Sequence, residues 1–296
     1  MTAPLARRHR RRGRAIRLAL LTLIVVVLAS LLAGIRLGAL QLTALGRLTT
    51  QSRLAQLATA PAADGTGVPA STAADEVAFV RFVVGDVQDT WQAMFSAAGL
   101  RYQVTQLVLF HTAIRSACGP ATSEVGPFYC PVDERVYLDL TFFDQLATEF
   151  GAPGDFAQAY VIAHEFGHHV QNLLGITEQV GSLQAADPTI ANDLSVRTEL
   201  QADCLAGVWG HSAYERSEVE PGDLQEGLAA AAAVGDDTLE RAATGTVDPD
   251  TFTHGTSSQR VAWFLAGYQS GDPASCDTFE RDLPSPSETA SPSAGP

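Results

Sequence analysis

The sequence predicts an α+β protein, mostly helical with a small β-sheet, preceded by one transmembrane helix. Three observations lead there. Apolar residues recur at helical spacing through most of residues 75–269, only two short extended apolar runs interrupt them, and an uncharged run follows an arginine cluster near the N-terminus.

In chain order, Arg7, Arg8, Arg10, Arg11, Arg12, Arg14 and Arg17 crowd residues 1–17. Leu18 to Ile35 then carries no charge over 18 residues, which at about 1.5 Å per residue nearly crosses a hydrocarbon core of about 30 Å. A cleaved secretory signal has an apolar stretch of about 7–15 residues followed by a small-residue cleavage site. This run is longer and lacks the site. Residues 18–40 therefore read as an uncleaved signal anchor, with residues 1–17 cytoplasmic and everything beyond them outside the cytoplasm. Residues 41–74, rich in Ala, Thr, Gly and Pro from Ala58 onward, read as a linker. One domain is expected over 75–282, followed by a disordered Pro/Ser tail over 283–296.

Within the domain, helices are expected over residues 75–98, 142–150, 156–174, 192–214, 221–234 and 257–269, with extended stretches at 104–110 and 135–140. Residues 118–130 read as a disulfide loop. Residues 135–140 are a candidate sheet edge for holding an extended peptide; as an ordinary core strand they would instead turn Val136, Leu138 and Leu140 inward.

Composition narrows the setting. The chain has no lysine, and all 33 acidic residues follow Arg53, against nine arginines over the same stretch. Such a surface excludes nucleic acid as a partner. Four cysteines in an oxidising compartment favour bridging. Cys118 and Cys130 lie close in sequence with Gly and Pro between them, and Cys204–Cys276 would tie the C-terminal segment to the helix over 192–214. The alternative is four free buried thiols acting as small hydrophobes.

Chemistry concentrates at His164-Glu165-Phe166-Gly167-His168. At about 100° per residue, His164 and His168 lie about 40° apart on a helix and can share one zinc ion, with Glu165 placed to take a proton from an attacking water. Zinc with an open position lowers the pKa of its water from 15.7 to about 7. The reaction this implies is peptide-bond hydrolysis. Ile162, Phe166 and Leu173 form an apolar stripe on the far face, Gly154-Asp155 offers an N-terminal cap and Gly175 a stop. His169 points away from both ligands and reads as a packing or supporting residue. A catalytic zinc site usually has three protein ligands. In Glu199-Leu200-Gln201-Ala202-Asp203, Glu199 can be the third, and Asp203, one turn on, can accept the N–H of a ligating histidine. Taken alone, that pattern also fits an amphipathic helix with two solvated acids.

The paired motifs resemble the gluzincin arrangement of metallopeptidases. Ser116-Ala117-Cys118-Gly119, Gly126-Pro127-Phe128-Tyr129-Cys130-Pro131, Val136-Tyr137-Leu138-Asp139, residues 163–169, residues 199–204 and the His254-Gly255 and Gln259-Arg260 region together resemble the bacterial family of neutral zinc metallopeptidases. The resemblance runs from about Asp75 to Asp282. It implies a zincin-like domain, one catalytic Zn²⁺ held by His164, His168 and Glu199, Glu165 as general base, and a peptide or protein substrate. An oxyanion donor is also needed. His254, His211 and Tyr214 are candidates, with His254 first because related two-helix zinc peptidases draw this donor from well beyond the glutamate ligand; a capping or packing role for His254 stays open. His111 reads as structural. A non-catalytic, membrane-tethered zinc scaffold is the rival reading, and it would close the site with a fourth protein ligand such as His254.

Overall fold

A computed structural model describes residues 73–281 and 283. The expected cytoplasmic segment, signal anchor and linker up to residue 72, and the expected tail from 284, lie outside the described residues. Among the described residues, no helix is long and apolar enough to cross a membrane.

The described fold is mostly helical with small sheets. Helix α1 (Ala73–Ala97) buries Val80, Val83, Val87, Trp91 and Met94, a 3–4 residue repeat that makes one apolar face. Short strands follow: β1 (Leu107–Phe110), β2 (Ala113–Ser116), β3 (Gly119–Thr122), β4 (Phe128–Cys130) and β5 (Arg135–Asp139). The helices after them are α2 (Thr141–Thr148), α3 (Asp155–Leu173), α4 (Ile176–Ala186), α5 (Ala191–Glu215), α6 (Asp223–Ala233), α7 (Asp236–Thr244) and α8 (Ser257–Ser270).

The three-stranded sheet has the order β1-β5-β4, with β5 parallel to β1 and antiparallel to β4; β2 and β3 form a separate hairpin. This corrects the expected edge. β5 lies in the centre, because it pairs with β1 along one edge and β4 along the other; its faces are buried too, Val136 and Leu138 in the main core and Tyr137 with Phe110 and Cys130 in a small second core. β4 lies at the edge of this sheet. The expected disulfide loop is also more ordered than predicted, since it holds β3 and β4. Cys118 is bonded to Cys130, and Cys204 to Cys276.

Helix α3 lies at the centre of the described fold. It contacts α1, α5, α6, β4 and β5, so it is buried on nearly every side rather than along a single apolar stripe. Gly154 is its N-cap, as expected, but without a side-chain hydrogen bond of its own. Gly154 has no side chain to offer, and the Glu226 carboxylate of α6 accepts from the Phe156 N–H at 3.1 Å instead. A Cβ on Gly154 would fall 2.0 Å from Glu226 Oε2. Gly175, at φ 78°, ends α3 as expected and starts α4.

Helices α5 and α8 touch backbone to backbone. A Cβ on Gly267 would lie 1.9 Å from the Cys204 carbonyl oxygen, and one on Gly207 would lie 2.1 Å from that of Phe264.

Candidate functional site

Helices α3 and α5 carry the three residues that could hold a metal ion. His164 and His168 stand on successive turns of α3 with ring centroids 4.8 Å apart. The two helices approach closely where Gly167 meets Ala202; a methyl group on Gly167 would be 3.0 Å from the Ala202 carbonyl oxygen. This close approach brings Glu199 to both rings. Its Oε2 lies 3.1 Å from His164 Nε2 and its Oε1 lies 3.4 Å from His168 Nε2. One donor atom from each of the three residues lies within 4.8 Å of the others.

The second nitrogen of each ring is held from behind. His164 Nδ1 donates to Asp203 Oδ1 at 2.8 Å. Asp203 is fully buried, and Arg260 grips it through two bonds of 2.9 Å, while the Tyr160 hydroxyl donates to Oδ1 at 2.5 Å. Burial works against the Asp203 charge, but Arg260 and His164 outweigh it and lower its pKa to about 2. Burial likewise opposes a charged His164, yet the Asp203 charge and hydrogen bond prevail and raise its pKa to about 10. His168 Nδ1 donates to Gln171 Oε1 at 2.9 Å. Both Nε2 atoms therefore face Glu199, whose own pKa is held well below the carboxylate range against burial by His168 and His164. Once a zinc ion displaces the two Nε2 protons, two imidazoles and one carboxylate, with room on the cleft side, fit that ion with an open position.

Glu165 lines the same cleft of about 790 Å³. Burial raises its pKa, opposed by His164 and His168 and assisted by the Glu199 charge. That is the direction a group needs in order to accept and return a proton near neutrality. His254 also lines the cleft, half exposed, and Asp236 of α7 positions it. The ring Nδ1 donates to Asp236 Oδ1 at 3.0 Å, while Asp236 Oδ2 accepts the main-chain N–H groups of Thr253, His254 and Gly255 at 2.8, 2.7 and 3.0 Å. The hydrogen bond to Asp236, set against burial, raises the His254 pKa. A capping box between Thr256 and Gln259 starts α8 directly after this loop and sets Arg260 in its first turn.

The other candidates lie elsewhere. His211 Nδ1 donates to the Tyr268 carbonyl at 2.8 Å, Tyr214 is exposed beside Tyr268, and neither lines the cleft. His169 is buried, with Nε2 donating to the Gln103 carbonyl at 2.6 Å and Nδ1 accepting from the Tyr129 hydroxyl at 3.0 Å. His111, expected to be structural, has a side chain 69% exposed. It sits just past the end of β1, where the chain has already left the core.

Sequence reasoning gave no role to Tyr160, Gln171, Arg260 or Asp236. Tyr160 and Gln171 had a usable signal, being one turn before His164 and three residues after His168 on the same helix face. Arg260 and Asp236 reach the site only through tertiary packing.

With this geometry in view, comparison with known proteins decides the family. The model of a family described as "Putative neutral zinc metallopeptidase" matches residues 10–279. The chain belongs to that family. Among curated relatives, "Uncharacterized protein YpfJ" of Escherichia coli (strain K12) is 52% identical over 211 residues, covering 71% of this chain and 74% of the relative. "Uncharacterized protein Rv2575" of Mycobacterium tuberculosis is 46% identical over 219 residues, covering 70% and 73%. No solved structure matches the chain significantly.

Proposed function

We propose that this member of the zinc metallopeptidase family is a membrane-anchored peptidase, with His164, His168 and Glu199 holding Zn²⁺, Glu165 as general base and acid, and His254 as oxyanion donor. The observation that carries this reading is the convergence of all five side chains on one cleft. Bound zinc would polarise the scissile carbonyl and acidify the attacking water. Glu165 accepts the proton released in that attack and returns it to the leaving amine, a transfer its raised pKa favours. With Nδ1 bonded to Asp236, Nε2 is the nitrogen left to His254, a residue of the cleft wall, for donating to the developing oxyanion. Edge strand β4, whose Phe128 and Tyr129 line the cleft, offers main-chain partners to an extended peptide.

The scaffold alternative needs a fourth protein ligand. His254 does not belong to the three-residue donor group, and this favours catalysis. Anchoring rests on the uncharged run behind the arginine cluster, a region that the family match from residue 10 includes.

The deciding experiment compares wild type with Glu165→Gln in zinc analysis and in digestion of a peptide library. The variant should keep its zinc and lose about 10²–10⁴-fold in rate. Undiminished, chelator-sensitive cleavage by Glu165→Gln would refute the mechanism.

A further inference from the structure

Gln171, in the wall of the cleft, and Gln201 belong to neither the three-residue donor group nor the titrating groups, yet both are almost completely buried. Their amide orientations follow from their neighbours. The Thr198 carbonyl can only accept, so the Gln171 atom 2.7 Å from it is the nitrogen. The same nitrogen donates to Gln201 Oε1 at 3.1 Å, and Gln201 Nε2 donates to the Cys276 carbonyl at 2.9 Å. With each nitrogen committed to an acceptor, Gln171 can offer His168 only its oxygen. His168 must therefore carry a hydrogen on Nδ1, which leaves Nε2, 3.4 Å from Glu199 Oε1, as the nitrogen that can ligate a metal once its own proton is displaced. Two main-chain carbonyls thus fix the metal-binding tautomer of a histidine that touches neither.

One of those carbonyls belongs to a disulfide. Cys276 is bonded to Cys204, which follows Asp203 on the helix that supplies Glu199. Beside it, Arg197 Nη1 donates to the Thr278 carbonyl at 2.6 Å and Thr278 Oγ1 donates to the Arg197 carbonyl at 2.7 Å.

We propose that Gln171 and Gln201 are positioning residues for the metal centre, and that the Cys204–Cys276 disulfide supports zinc affinity by holding the carbonyl on which Gln201 depends. The C-terminal segment is then an outer part of the zinc site. Asp203 orients His164 by charge, whereas an uncharged relay of two glutamines orients His168. This inference rests on the zinc reading of His164, His168 and Glu199.

The test measures the Zn²⁺ affinity of the full-length protein by competition with a chromophoric chelator, with thermal unfolding of each zinc-free variant recorded alongside. Gln171→Met keeps the volume and removes the relay, and it should weaken Zn²⁺ binding about 10–100-fold, the range usual for lost outer partners. Gln201→Met should weaken it less. In a Gln171→Met background Gln201→Met should add nothing, because Gln201 acts only through Gln171. The paired change Cys204→Ala with Cys276→Ala should also weaken Zn²⁺ binding, by less than Gln171→Met because Arg197 and Thr278 still grip the segment, and its effect should not add to that of Gln201→Met. Melting temperatures that fall while the folded variants bind Zn²⁺ as wild type does would overturn the inference, as would losses that multiply. Should Gln171→Met fail to fold, the non-additivity of Gln201→Met with the cysteine pair decides alone. A wild-type chain that does not bind Zn²⁺ tightly refutes the zinc reading itself, which is a different failure.

Discussion

His254 can donate toward the cleft in only one protonation state. The Asp236 carboxylate can only accept, so Nδ1 keeps its hydrogen when the ring becomes neutral, and the proton lost is the one on Nε2. Activity that needs this donor should therefore be present below the His254 pKa and decline as pH rises through it. The hydrogen bond to Asp236 raises that pKa, so Asp236→Asn should move the alkaline limb of kcat to lower pH. His254→Gln should lower kcat by about 10²–10³-fold, with a smaller effect on KM, and abolish that limb. Both follow from pH–rate profiles of zinc-loaded enzyme; an alkaline limb that stays in place in Asp236→Asn removes His254 from the mechanism. The residues readable from sequence are those whose partners lie one helical turn away: His164 with His168, Glu199 with Asp203. Asp236 and Arg260 depend on contacts across 18 positions to His254 and 57 to Asp203, which no local pattern encodes.

At the scale of elements, the glycines of α5 and α8 set how closely the helices pack, and the α5–α8 contact leaves no space for a side chain. Gly267→Ala would place a methyl group against the Cys204 carbonyl and force the two helices apart, at a cost of about 1–3 kcal/mol or more. Arg260 sits on α8 and Asp203 on α5, so the same displacement stretches their paired hydrogen bonds. Gly267→Ala should melt at a clearly lower temperature and also bind zinc more weakly, although position 267 is remote from the ligands. Calorimetry beside zinc titration checks this, and a wild-type melting temperature would contradict the packing argument. The long helices were legible because their apolar spacing persists over several turns, and α3 and α5 fall within about a residue of expectation. Helix α4 escapes a sequence reading because it buries only Ile176 and Val180, and α7 because it is short and polar and buries only Asp236. The position of β5 was not legible either: its alternation of residues reads the same at a sheet edge or centre, and only strand order separates the two.

At the scale of the whole molecule, the charge distribution and the disulfides make one joint prediction. Arginines precede the uncharged run, every acidic residue follows it, and both disulfides belong to the part that follows. A bond spanning 72 positions, as between Cys204 and Cys276, removes about 4 kcal/mol of freedom from the unfolded chain in the chain-entropy account. In a reducing cytoplasm that contribution would be lost. Full-length protein in a bacterial host should therefore stay with membranes through an alkaline wash, with its cysteines resistant to alkylation until reduced. In spheroplasts, added protease should degrade the domain and spare a tag on the N-terminus if the arginines hold that end inside, as the proposed topology requires. A cleaved signal would instead give a shortened, released chain, and a cytoplasmic domain would be protected from protease with free thiols. Either result would overturn the anchored topology while leaving the chemistry of the cleft intact, since the described fold builds the cleft from residues after 122.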